Sequence, residues 1–177
     1  MGRRVRIAAA PIRRQRSRDV KFVVGAVGHK LPDWINAGFN EYARRMPRAS
    51  PIELCEIKPA PRAGSGEKSI QDWLSAEHAR VRAALPARAF VAVLDERGES
   101  CTTAGLARRI QRWRETGGDV VFVIGGADGT AQALKDEADL LLSLSPLTLP
   151  HGLCRIVMAE QLYRAVSLLA NHPYHRA

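Results

Sequence analysis

Two short runs carry apolar residues with no alternation, Phe22–Val27 before Gly28 and Val120–Ile124 before Gly125. A strand that shows only apolar residues is covered on both faces, as in the middle of a parallel sheet. Further strand-length segments are predicted at 52–57, 89–94 and 140–144. Between them the pattern turns helical. Pro32 and Asp33 open a helix to about residue 45, with Ile35, Phe39 and Tyr42 on one face, and Pro47 ends it. A helix over 70–85 follows the basic, Gly-bearing loop 58–68. Thr102 or Thr103 caps a helix to 116, whose Leu106, Ile110 and Trp113 share a face, and Gly117 and Gly118 stop it. A short helix is predicted at 131–138 and a last one at 153–170, before the polar tail 171–177. Strands alternating with helices predict an α/β fold, a mainly parallel sheet with helices on both faces.

The last predicted helix differs from the others. Leu153, Ile156, Val157, Met158, Leu162, Val166 and Leu169 leave it apolar nearly all round, so it needs cover on more than one side. A second copy of the chain would supply that cover, and a homodimer is expected.

Composition narrows the function classes. With 177 residues and 46% hydrophobic content, one domain over residues 20–177 is expected. The longest apolar stretches fall far short of the roughly 20 residues a membrane helix needs. Cys55, Cys101 and Cys154 are scattered, with no Cys-x-x-Cys pair, which fits reduced thiols in a cytoplasmic protein. The net charge is +9, but seven arginines against Asp19 within residues 1–19 carry +6 of it, leaving +3 for the rest. Net charge therefore suggests a polyanionic partner chiefly through this basic N-terminal extension, which is expected to be flexible. Its Arg-rich, acid-poor composition fits an organelle transit peptide, a nucleic-acid arm or translation from an upstream start.

Three segments carry candidate chemistry. Beyond the apolar run, Ile124-Gly-Gly-Ala-Asp-Gly-Thr130 suggests close approach of backbone to a ligand. It is not a dinucleotide fingerprint: Gly126 and Gly129 would need a glycine at position 124, which is Ile, and no Gly-Lys-Ser or Gly-Lys-Thr marks a phosphate loop. A plain strand-to-helix turn is the competing reading. In Leu142-Ser-Leu-Ser-Pro-Leu-Thr-Leu-Pro-His151, two prolines exclude a central strand. Such a loop can surround a purine with leucines while its amides and carbonyls bond the ring edge, or it can be core packing. Asn171-His-Pro-Tyr-His-Arg176 concentrates acid–base and anion-binding groups at the end of the chain. No further Cys or carboxylate at ligand spacing accompanies its histidines, and no metal is expected.

These segments, with Gly28-His-Lys-Leu-Pro-Asp-Trp34, Leu94-Asp95 and Glu160-Gln-Leu-Tyr-Arg164, resemble in order and spacing the SPOUT methyltransferases of the ribosomal RNA large subunit methyltransferase H type. The resemblance runs from about Lys21 to the C-terminus; residues 1–19 depart from the family pattern. It implies a C-terminal trefoil knot, a homodimer, and S-adenosylmethionine-dependent methylation of N3 of a pseudouridine in large-subunit (23S) rRNA on the assembled ribosome. It also places the cofactor against Leu94, Gly125, Leu144, Ser145, Pro146, Leu147, Thr148 and Leu149, with Gly125 leaving room for the ligand or the neighbouring loop. An imide nitrogen is mostly protonated at neutral pH, so a base or a cation near N3 would raise the reactive fraction. His175, Tyr174, Arg164 and Arg176 are the candidates by motif. Two alternatives stay open, a non-catalytic protein that binds RNA or the ribosome and an unrelated α/β enzyme using a nucleotide cofactor.

Overall fold

The computed structural model describes residues 19–62 and 69–175, with His175 described by its backbone alone. The basic segment 1–18, most of the Gly-bearing part of the loop 58–68, and Arg176 lie outside the described residues.

Strands β1 (Phe22–Val27), β2 (Ile52–Ile57), β3 (Phe90–Ser100), β4 (Val120–Ile124) and β5 (Leu140–Ser143) form a sheet in the order β2-β1-β4-β3-β5. Every pairing in it is parallel. The two strands with unbroken apolar sequence, β1 and β4, lie beside each other in the middle, and every residue of both is buried. Helices α1 (Asp33–Ala43), α3 (Thr103–Thr116) and α5 (His151–Leu169) cover one face, and α2 (Ile70–Ala84) and α4 (Gln132–Glu137) the other. The period of two along a strand explains the division. Phe22, Val24, Ala26, Val120, Phe122 and Ile124 pack with α1, α3 and α5. Val23, Val27, Val121 and Val123 pack with Val81 of α2 and Leu134 of α4.

On the first face, α5 sits against both α1 and α3. Glycines set its approach to α1. A Cβ on Gly38 would lie 2.8 Å from Ile156 Cδ1, and one on Gly152 would lie 2.8 Å from Ile35 Cδ1, so each helix receives the other's isoleucine in a glycine notch. Trp113 of α3 reaches Phe90, Phe122 and Phe22, with ring centroids 5.3, 6.0 and 6.5 Å away. Met158, Ala159, Leu162, Ala165 and Val166 of α5 are buried here. Part of the many-sided apolarity of α5 is thus covered within the chain.

Two boundaries beside the cleft differ from the sequence expectation. Helix α5 begins at His151 behind Pro150, whose ring holds φ at −58° where the chain enters the helix. Strand β3 runs on to Ser100 instead of ending near 94. Both Leu94 and Glu99 pair with Leu142 of β5, and the register jumps between them. At Gly98 an added Cβ would lie 2.7 Å from Leu141 C and Leu142 N. Backbone lies on backbone there, which a residue without Cβ allows. Residues 95–98 are therefore laid across β5, holding its end against the loop that follows.

Candidate functional site

A cleft of about 570 Å³ opens at the C-terminal ends of β3, β4 and β5, where ligands bind in open parallel sheets. Each wall has a local cause. From β4 the chain turns sharply over residues 126–129, closed by a hydrogen bond from Gly129 N–H to Gly126 O of 3.0 Å, with Gly129 at φ 83°. A Cβ on Gly125 would lie 2.5 Å from the Gly129 carbonyl oxygen. That position needs glycine for the turn of its own chain, and it also lines the cleft.

The opposite wall is the segment 144–149. Pro146 and Pro150 leave it short of donors, and side chains replace the missing ladder. Ser143 Oγ donates to Ser145 O at 3.0 Å, and Ser145 Oγ accepts from Leu147 N–H at 2.9 Å. Thr148 Oγ1 donates to Glu96 Oε2 at 2.9 Å, joining this loop to the crossing segment of β3. Leu94, Ile124, Leu144 and Leu149 give the cleft apolar walls. Leu147 remains 72% exposed at its edge. The rim is charged. Lys135 of α4 pairs with Asp95, and this bond, with the Arg97 backbone N–H, holds the Asp95 carboxyl below the usual carboxylate range.

Under the cleft lies an arginine with no exposure at all. Arg155 Nε donates to His151 Nε2 at 3.1 Å, its NH1 nitrogen to Glu56 Oε1 at 2.6 Å, and its NH2 nitrogen to Gly28 O at 2.8 Å. His151 lines the cleft, and its Nδ1 lies 2.9 Å from Gly125 O. Burial, reinforced by the charge of Arg155, pushes the imidazole below its ordinary value, although its bond to Gly125 acts the other way.

The tail forms a second cluster. After α5 the chain reverses at Asn171, which has a left-handed φ of 52°. Its N–H donates to Leu168 O and the His172 N–H to Ser167 O, the paired bonds of a Schellman stop. This reversal lays the 3-10 turn Pro173–His175 back along the helix. Tyr174 packs against Tyr163 at 4.7 Å between ring centroids, the rings tilted by 56°, has its ring centroid 4.9 Å from the Arg164 guanidinium carbon, and donates to Glu160 Oε1 at 3.2 Å. Arg164 bonds the same carboxylate at 2.7 Å. Burial first, then bonding to Tyr42 and the charge of Glu160, pushes the Tyr174 phenol up to about 12.

Of the residues expected to hold a cofactor, Leu94, Gly125, Leu144, Ser145, Leu147, Thr148 and Leu149 line one cleft, and Pro146 shapes the loop without lining it. Arg164 and Tyr174 meet each other but not the cleft. Ten residues of α5 separate Cys154, on the cleft wall, from Arg164, a rise of about 15 Å. The His175 side chain and Arg176 lie outside the described residues. Sequence reasoning missed Glu96, Lys135, His151 and Arg155. The signal for Arg155 was present: it falls in the stripe of 158, 159, 162 and 166 that faces the sheet, where an unpaired charge would be costly.

Residues 20–175 match the family described as "Predicted SPOUT methyltransferase". Over 158 residues, 89% of this chain and the whole of the relative, the chain is 60% identical to the Ribosomal RNA large subunit methyltransferase H of Nitrosospira multiformis. A protein of the same name from Burkholderia mallei is 55% identical, with the same coverage. Among solved structures, the chain is similar to the SpoU methyltransferase AviRb from Streptomyces viridochromogenes in complex with the cofactor AdoMet. That likeness has a TM-score of 0.45 and 14% identity, and covers 88% of this chain and 60% of that one.

Proposed function

The chain belongs to the SPOUT methyltransferase family, and we propose that it transfers a methyl group from S-adenosylmethionine to large-subunit rRNA. The target we infer is N3 of a pseudouridine on the assembled ribosome in the cytoplasm, with residues 20–177 acting as one catalytic domain. The observation that carries this reading is the cleft, in which seven of eight expected cofactor residues converge from β3, β4 and the loop after β5.

The residues fit the cofactor. Leucine walls suit an adenine, backbone amides and carbonyls of 144–149 suit its edge, and Lys135 and Glu96 at the rim suit a zwitterionic amino acid. When bound, S-adenosylmethionine supplies an electrophilic methyl. The chain's own task is to hold the acceptor nitrogen in line with it. Tyr174 keeps its proton at neutral pH, so it serves as a donor and not as a base. Arg164, paired with Glu160 beside it, supplies positive charge that stabilises an anionic base. His175 and Arg176 continue the same tail.

Within one chain this cluster stands apart from the cleft, so the site is completed by a second copy. Trp34 and Leu153, 56% and 37% exposed, flank the Ile35–Gly152 contact and offer apolar surface for a homodimer. The trefoil knot of the family is part of the same proposal. Calorimetric titration with S-adenosylmethionine tests the assignment. Binding that is lost on Leu144→Asp supports it, whereas a folded protein that does not bind would favour the non-catalytic RNA-binding reading. Among the described residues no helix is long and apolar enough to cross a membrane.

A further inference from the structure

The buried pair under the cleft has a fixed proton arrangement that follows from donor chemistry. A guanidinium has only donors. Arg155 Nε therefore gives its hydrogen to His151 Nε2, at 3.1 Å, and that nitrogen must be the bare one. The ring proton is then on Nδ1, which faces the carbonyl of Gly125 at 2.9 Å. A doubly protonated ring would lose the first bond and set a second positive charge against a guanidinium with no exposure. The groups facing the ring are Arg155 on its own helix and Glu56 on β2. Across the cleft, Asp95 is taken by Lys135 and Glu96 by Thr148, while Arg97 and the Cys154 thiol complete the lining. Among the described residues near the ring, Glu56 and Asp95 are each paired with a cation, Arg155 and Lys135, and neither bonds the imidazole.

We propose that Arg155 is a positioning residue for methyl transfer: it holds His151 in its Nδ1–H tautomer, and that N–H fixes the Gly125 carbonyl and with it the floor of the cofactor cleft. Arg155 suits the task because its other nitrogens are anchored independently, on Gly28 at the end of β1 and Glu56 on β2. The ends of three neighbouring strands and the first turn of α5 are thus joined through Arg155 and His151. A lysine has no fork of donors and could not serve all three acceptors. The Gly125 turn follows directly on β4, so a loosened carbonyl would be felt in the cleft before it was felt in the core.

This inference deepens the proposed cofactor site, and its test has one arm that does not depend on that site. The first arm is nitrogen NMR of histidine-labelled protein without cofactor, with His151 assigned by its disappearance in His151→Asn. The expected signature is the Nδ1–H tautomer at neutral pH. In Arg155→Gln the ring should lose this preference and titrate closer to an ordinary histidine. A native Nε2–H or rapidly exchanging ring would overturn the proposal. The second arm measures S-adenosylmethionine affinity in two variants that keep Arg155 and so avoid a folding failure. Asparagine places an N–H near Nδ1 and can reach Gly125 O, whereas glutamine places one near Nε2 and cannot. His151→Gln should lose about tenfold more affinity than His151→Asn, the worth of one hydrogen bond. Equal losses in the two variants would overturn the proposal. Absence of binding by the wild type would instead sink the cofactor reading, leaving the tautomer result to decide the role of Arg155.

Discussion

Replacing Gly98 by alanine puts a methyl group where β3 crosses β5. The added Cβ would lie 2.7 Å from Leu141 C and Leu142 N and 2.8 Å from Leu141 O, all below the 3.0 Å that real Cβ atoms keep. These neighbours are backbone atoms of a paired strand, so no side chain can swing aside. The two segments must part by several tenths of an ångström, against the Leu94–Leu142 and Glu99–Leu142 pairings on either side. Overpacking of this kind costs about 1–3 kcal/mol, which for a chain of this length lowers Tm by roughly 2–12 °C. Because β5 runs directly into the cleft loop, S-adenosylmethionine affinity should fall as well. Gly118→Ala is the control. Gly118 has φ +104° but nothing within 4 Å of an added Cβ, so it should show a strain cost of about 1–3 kcal/mol with unchanged affinity. Thermal denaturation and calorimetry on both variants decide the matter. A Gly98→Ala protein with wild-type Tm and affinity would refute the crossing as a tight backbone contact.

Other outcomes follow from the same geometry. Gly125→Val should weaken S-adenosylmethionine binding and also stability, because its Cβ meets the Gly129 carbonyl; unchanged affinity in a folded variant would remove Gly125 from the site. The Tyr174 phenol, raised from 10.0 to about 12, contributes stability that is complete below pH 10 and is lost as pH rises to about 12. Denaturation across that window should show the wild type losing stability relative to Tyr174→Phe, and parallel curves would contradict the assignment. Removing residues 171–177 should abolish methyl transfer while costing little stability, since a polar terminus of seven residues buries little apolar area. Full turnover by the truncated protein would leave Arg164 as the sole candidate of the cluster.

The parts of the fold that could be read from sequence were those where periodicity acts alone. Phe22–Val27 and Val120–Ile124, apolar throughout, are the two central strands. Leu106, Ile110 and Trp113 do face the core together. The extension of β3 was hidden because Asp95-Glu-Arg-Gly98 has the composition of a surface loop, and the pairing that makes Glu99 and Ser100 strand comes from β5, some forty residues further on. Likewise, the leucine–proline loop was legible as a structured, irregular segment because its chemistry is local, and it lines the cleft. Its fastening to Glu96 was not, for that bond joins residues 52 apart. Arg155 marks the sharpest limit. A buried arginine is intelligible only once Glu56, Gly28 and His151, from three separate elements, are seen around it. The tail reads differently again: its residue types announced chemistry, but its reversal at Asn171 brings Tyr174 onto Arg164 of α5, and neither lines the cleft of their own chain.

The central claim, methyl transfer to large-subunit rRNA, is tested most directly by incubating the protein with methyl-labelled S-adenosylmethionine and either assembled ribosomes or separate subunits, then mapping the label by mass spectrometry. The account predicts label on N3 of one pseudouridine of the large-subunit rRNA, with assembled ribosomes the preferred substrate and no transfer by the tail-truncated protein. Label in small-subunit rRNA or in protein, or no transfer by a protein that binds the cofactor, would contradict it.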